Sequence, residues 1–262
     1  MSSRPVVAPR WRDVAALPAP GELGEPVTEV HVWLFDLDRS HRLLDRLRGT
    51  LDVRERRRAD AYVFRVDRAR YAAEHGLRRG LLASYLAISA REVTYEYGQH
   101  GKPYLVVAGI NAALRFSSAR SGNLGLCAVA LDRDLGVDIE RIRPNHDHRG
   151  IAARYFSRSE DEAIRTLPPE QQVRAFYDCW TRKEAHLKAT GRGLTVPLSS
   201  FDVPVTPDPP PTDAATGPEG LGLTALPPVP GFATALAARG HRGVAAFRLD
   251  PSSADPFRHP LR

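Results

Sequence analysis

Lysine, cysteine and long apolar runs are scarce in these 262 residues, and each scarcity excludes something. Two cysteines, Cys127 and Cys179, are too few for a disulfide framework. Both sit in apolar runs, which predicts buried, reduced thiols in a reducing compartment. No apolar run approaches the roughly 18–20 residues of a membrane span, and residues 1–26 lack the apolar core of a signal peptide. A cytoplasmic protein with no membrane partner is expected. Of 37 cationic side chains only Lys102, Lys183 and Lys188 are lysines, so each is a choice made against a strong arginine bias. Also missing are a Gly-x-x-x-x-Gly-Lys-Ser/Thr loop and a Gly-x-Ser-x-Gly elbow. P-loop NTPase and α/β-hydrolase chemistry therefore find no support.

What is present is ordinary in bulk: 42% apolar and 26% charged residues, a soluble globular composition. The length allows one large domain or two of about 100–150 residues. A net charge of +6 and a pI near 9.6 point to polyanionic partners, namely nucleic acid, a nucleotide-like cofactor or an acidic protein. A solvated arginine surface is the alternative. The cluster Arg54, Arg56, Arg57, Arg58 would suit nucleic acid by charge. It lacks interleaved aromatics and any recognised binding motif, so no nucleic-acid partner is expected.

In chain order, residues 1–26 are rich in Pro, Ala and charge and read as a flexible arm. Val30 to Leu34 alternates as a first strand. Ser40 caps a short helix, a basic helix begins near Asp52, and a third runs from about Asp67 to Ala87. Strands follow at Val93 to Tyr97 and Tyr104 to Val107, joined by the turn Gly101-Lys102-Pro103. A strand starts at Leu114 and breaks after Ser118. Leu124 to Leu131 and Gly136 to Glu140 read as an antiparallel hairpin turned by Asp132-Arg133-Asp134. Helices are expected from about Gly150, after Ser157 or Ser159, and from about Glu170 to Thr190, the last closed by Gly191. Phe201 to Val203 begins a strand, residues 204–231 form a Pro-rich exposed loop, Val244 to Leu249 is a closing strand, and 251–262 is a frayed tail. Helix-then-strands occurs twice, on either side of about residue 120. That pattern predicts an α+β fold of two similar halves, 27–120 and 121–250, packed face to face as a pseudo-dimer with a cleft at the seam. One chain then makes the cleft by itself, so a monomer is expected.

Two stretches carry chemistry. In Val137-Asp138-Ile139-Glu140 the strand period of two turns both carboxylates to one side, with Cα atoms roughly 6.6 Å apart. Drawn to about 4 Å they would repel by about 4 kcal/mol at an effective dielectric of 20, and a divalent cation would reverse that sign. The alternative is a strand's solvent face. On the long helix Val173, Phe176, Tyr177, Trp180 and Leu187 fall on one stripe, and Glu184 falls on it too. A carboxylate there needs a cation, either Lys188 at i+4 or a metal. Taken together, Asp138, Glu140 and Glu184 are better explained as one all-oxygen site for Mg²⁺, with Lys188 beside it. His146-Asp147-His148 reads as surface.

These stretches, with His100-Gly101-Lys102-Pro103-Tyr104, Phe116 to Gly122, Phe156-Ser157 and Trp180-Thr181-Arg182-Lys183-Glu184-Ala185 through Leu194, resemble the Sfp-type 4′-phosphopantetheinyl transferases over roughly Val30 to Val203. The resemblance implies transfer of 4′-phosphopantetheine from coenzyme A to a serine of an apo acyl or peptidyl carrier protein, with release of 3′,5′-ADP. The carrier would come from fatty acid, polyketide or nonribosomal peptide synthesis. It implies Asp138, Glu140 and Glu184 as Mg²⁺ ligands, Glu184 as a candidate base, and Lys188 as a contact to the phosphates near the reacting centre. Arg70 and Lys102 match positions that hold the nucleotide end of coenzyme A. One departure stands out: where the family usually reads Asn-x-Ser-His-Ser, this chain reads Ser117-Ser118-Ala119-Arg120-Ser121. Arginine is a bidentate phosphate ligand, so Arg120 and Ser121 are the phosphate candidates here. The same departure leaves open a catalytically weakened coenzyme A-binding relative.

Overall fold

The structure is a computed structural model that describes residues 9–17, 29–107, 110–111, 113–205, 218–240, 243–253 and 256–257. In chain order the strands are β1 (Trp11–Val14), β2 (Glu29–Asp36), β3 (Thr94–Tyr97), β4 (Pro103–Val107), β5 (Ile110–Asn111), β6 (Leu114–Ser121), β7 (Leu124–Leu131), β8 (Leu135–Arg141), β9 (Leu221–Ala225), β10 (Phe232–Arg239) and β11 (Gly243–Leu249). The helices are α1 (His41–Thr50), α2 (Val53–Asp60) and α3 (Arg65–Leu86) before β3, then α4 (His148–Tyr155), α5 (Arg158–Thr166) and α6 (Pro169–Thr190) after β8. The class is α+β, as expected. Among the described residues no helix is long and apolar enough to cross a membrane.

Local chemistry explains the helix starts. Ser40 accepts from the Leu43 N–H, and Asp52 and Ser157 each form a capping box, with Glu55 and Glu160. Gly191, at φ +69°, ends α6 in the left-handed region, where its N–H donates to the Leu187 carbonyl.

Four layers result. Sheet order β1-β11-β2-β7-β6 makes one sheet and β8-β10-β9 a second; β3-β4-β5 is a small third. Alternation along β2 sends Trp33 and Phe35 into a core with Leu43, Leu77 and Leu81 of α1 and α3. It sends Val30, Val32 and Leu34 into a second core shared with Val137 and Ile139 of β8, which glues the two sheets together. A third core joins β9 and β10 to α4, α5 and α6. Cys127 and Cys179 are buried free thiols, and burial pushes Cys127 up to about 12.

Several expectations need correction. β7 and β8 do not pair as a hairpin: β7 pairs with β6 and β2, and β8 pairs with β10. Asp132, at φ +44°, turns the chain out of one sheet and into the other. β6 does not break after Ser118 but continues to Ser121. Phe201–Val203 is not a strand, and β9 lies inside the stretch expected as a loop. Residues 206–217 of that loop fall outside the described residues. Within the supposed arm, Trp11–Val14 pairs in parallel with β11, and in the supposed tail Phe257 is buried and bridges to Leu17. The first sheet takes strands from both sides of residue 120, β1 and β2 before it and β7 and β11 after it.

Candidate active site

The site forms where the two sheets meet. β8 has one edge on β10, and its other edge is met by hydroxyls of β6. Ser117 Oγ accepts from the Val137 N–H (3.1 Å) and Ser121 Oγ from the Arg141 N–H (3.0 Å). Helix α6 lies directly on β8. A Cβ at Gly136 would come within 2.1 Å of the Ala185 carbonyl oxygen and 2.4 Å of the Ala189 nitrogen, so only glycine permits this approach. Ala233 and Ala235, facing Glu140 and Asp138 across the β8–β10 ladder, keep the neighbouring strand equally low. These small residues bring the last turns of α6 down onto the acidic strand.

The sequence-derived metal residues are brought together, in an unexpected arrangement. Asp138 is 4% exposed. Its Oδ1 accepts from Lys188 Nζ (2.6 Å), so Lys188 pairs with the strand and not with Glu184 one turn before it. Glu140 Oε2 accepts from Ser121 Oγ (2.7 Å). Burial pushes the Glu184 carboxyl up, and the charges of Asp138 and Glu140 add to the effect. Burial also raises Asp138, outweighing Lys188, and raises Glu140, where the Asp138 charge again contributes. In this arrangement no three of these groups form a metal cluster among the described residues. The donor set nevertheless fits a hard cation: three oxygen-bearing side chains disfavour one another's charge, and the buried Asp138 Oδ2 has no hydrogen-bond partner.

Glu184 and Lys188 open onto a cleft of about 810 Å³. Its other walls come from Arg54, Arg57 and Arg58 of α2, Tyr71, His75 and Arg78 of α3, the His100–Pro103 turn, and Ser117 and Ser118 of β6. Glu140 faces a smaller cavity of about 180 Å³ with Arg143, Tyr177 and Trp180.

The four remaining phosphate candidates divide. Ser121 holds Glu140, as above. Lys102 lines the cleft, but its Nζ donates to the carbonyls of Ala189 (2.7 Å) and Leu135 (3.3 Å), and burial brings its ammonium down to about 8. It thus ties the β3–β4 turn to the end of α6. Arg120 donates to Tyr62 Oη (2.7 Å), with its guanidinium against the Tyr62 and Tyr71 rings. Arg70 makes a two-pronged pair with Asp38 (2.7 and 2.9 Å).

Sequence reasoning missed a charged cluster in the cleft wall. Arg78 donates to Glu74, Glu55 and Ser118. His75 Nδ1 contacts both the Glu74 carboxylate and the Tyr71 carbonyl oxygen. Two acceptors at one nitrogen place a proton on Nδ1. Burial opposes the ionised form of Glu74, but the charges of His75 and Arg78 hold its carboxyl far below the usual range. The signal was Glu74 one helical turn before Arg78 on α3; Glu55 comes from α2 and gave none.

A basic cleft, a buried carboxylate group and a lysine beside it suit a phosphate-bearing ligand. The family model of the 4′-phosphopantetheinyl transferase superfamily matches residues 134–221. HetI of Nostoc sp. (strain PCC 7120), a 4′-phosphopantetheinyl transferase, is 38% identical over 194 residues, covering 74% of this chain and 81% of HetI. The 4′-phosphopantetheinyl transferase Sfp of Bacillus subtilis (strain 168) is 26% identical over 159 residues, 61% of this chain and 68% of Sfp. The chain belongs to the 4′-phosphopantetheinyl transferase superfamily.

Proposed function

We propose that the protein transfers 4′-phosphopantetheine from coenzyme A to a serine of an apo acyl or peptidyl carrier protein, releasing 3′,5′-ADP, with Mg²⁺ required. One observation carries the reading: Glu184 and Lys188 stand in a cleft whose walls hold Arg54, Arg57 and Arg58, and Lys188 reaches back to the buried Asp138. Those arginines suit the phosphates of coenzyme A. Asp138, Glu140 and Glu184 would hold the metal, which neutralises pyrophosphate charge when bound.

The carrier serine Oγ attacks the β-phosphorus of coenzyme A. The new bond is serine O–P, and the bond that breaks joins that phosphorus to the oxygen bridging it to the adenosine-side phosphate. Glu184 takes the serine proton. Its carboxylate lines the cleft beside Lys188, where the carrier serine has to enter. Lys188 steadies the charge on the departing phosphate. Arg58, Tyr62, Arg120 and Tyr71 form a linked set beside the cleft that keeps the α2–α3 corner in place.

The metal assignment has a test that does not depend on turnover. Millimolar MgCl₂ should raise the melting temperature of the wild type by several degrees, and of Asp138→Asn or Glu140→Gln by much less. An equal rise in wild type and both variants would place Mg²⁺ elsewhere.

A further inference from the structure

Three large apolar side chains stand in water together at the corner between α2 and α3. Val63 is 86% exposed, Phe64 68% and Val66 48%. Scattered exposed valines need no account, but three within four residues make a patch. The local fold does not require them. Phe64 occupies the cap position of α3 without any side-chain cap bond, and what it contributes there is its backbone carbonyl, which accepts from the Arg68 N–H (3.1 Å).

The surroundings are cationic. Residues 53–68 contain Arg54, Arg56, Arg57, Arg58, Arg65 and Arg68 against Glu55, Asp60 and Asp67. Glu55 is buried and bound to Arg78 and Arg79, and Asp60 is paired with Arg48. The corner therefore presents an apolar centre with a basic rim, the anatomy of a protein-binding patch. It also adjoins the cleft. Arg54, Arg57, Arg58 and Ala61 line it, and Ala61 lies two residues before Val63.

We propose that Val63, Phe64 and Val66, with Arg65 at their edge, are the surface on which the carrier protein docks. The inference rests on the transferase reading above. The occupant it specifies is an acidic protein face carrying apolar side chains. A macromolecule whose serine must reach Glu184 has to sit on the cleft's rim, and among the described residues this corner puts three exposed apolar side chains next to it. Nucleic acid would engage the arginines and leave Val63 and Phe64 without a partner. Charge attraction to the rim would speed encounter, and the apolar centre would hold the complex.

The test is steady-state transfer to an apo carrier, followed by intact mass, for wild type, the double variant Val63→Ser/Phe64→Ser, and Arg65→Glu. Both sites are exposed, so folding should be retained, and a melting curve checks it. The double variant should raise the carrier KM about tenfold, with the KM for coenzyme A and the kcat at saturating carrier within about twofold of wild type. Arg65→Glu should raise the carrier KM several-fold, less so in high salt. An unchanged carrier KM in the double variant would overturn the assignment while leaving the transferase reading intact. A wild type that transfers nothing to any carrier would overturn both. A wild type that runs as a dimer and a double variant that runs as a monomer would give the patch to a second copy of this chain, and would also overturn the assignment.

Discussion

Glu184→Gln and Asp138→Asn should each lower transfer by about 10²–10⁴-fold with the fold retained. Glutamine keeps the shape of Glu184 but cannot take a proton and contributes no charge to a metal. Its carboxylate sits in the field of Asp138 and Glu140, half out of water. Neutralising it removes like-charge repulsion, so the melting temperature of Glu184→Gln should be unchanged or higher. Asp138→Asn acts differently. It frees Lys188 from its 2.6 Å pair and takes charge from the most buried member of the group. Loss of activity with an unchanged or raised melting temperature is the signature of a functional site, because stability there is spent on charge that the fold does not need. Full activity in either variant would remove that residue from the chemistry and sink the three-carboxylate metal assignment.

Lys183→Met should cost stability and only secondarily activity. Lys183 is completely buried, 2.7 Å from the Glu160 carboxylate, and it donates to the carbonyls of Leu198 (2.7 Å) and Phe201 (2.6 Å). Removing the cation leaves a buried carboxylate and two carbonyls short of a donor, a loss of about 3–5 kcal/mol. For a chain of this size that is about a 10 °C drop in melting temperature. The double variant Lys183→Met/Glu160→Gln should recover part of it, since the two groups are one interaction. A Lys183→Met protein with the wild-type melting curve would show that this buried pair contributes little.

The contrast between Lys183 and Lys188 marks how far the sequence could be read. Both belong to the Trp180–Lys188 run that resembles the family, and the i+4 spacing from Glu184 marked Lys188, not Lys183, as the lysine beside the carboxylates. Helical periodicity put Glu184 and Leu187 on one side, and the structure agrees that α6 turns Glu184 and Lys188 toward the cleft. Only the packing of the 198–201 turn reveals that Lys183 is enclosed by backbone carbonyls. Period-two alternation in β8 was legible for the same reason: Val137 and Ile139 go to the core between the sheets, and Asp138 and Glu140 go the other way.

What escaped reading was non-local. The alternation of β8 cannot say which strand it pairs with, and Asp132–Asp134 looks like a hairpin turn whether the chain stays in its sheet or leaves it. β10 escaped because its run Ala-Thr-Ala-Leu-Ala-Ala is alanine-rich and weak in strand propensity. Its alanines are explained by α6 lying on them. β9 was hidden in a Pro-rich stretch. Arg70 and Arg120 looked equivalent as cations, yet Arg70 is bound by Asp38 and Arg120 by Tyr62. Partners decide what a charge can do, and partners come from distant positions.

In the proposed reaction this cleft moves phosphopantetheine and needs Mg²⁺. Intact mass of an apo carrier protein, measured after incubation with this protein and coenzyme A, tests it most directly when MgCl₂ and EDTA are compared. The carrier should gain one phosphopantetheine with MgCl₂ and none with EDTA. An unmodified carrier in both samples, across acyl and peptidyl carriers and with coenzyme A still bound by the protein, would contradict it.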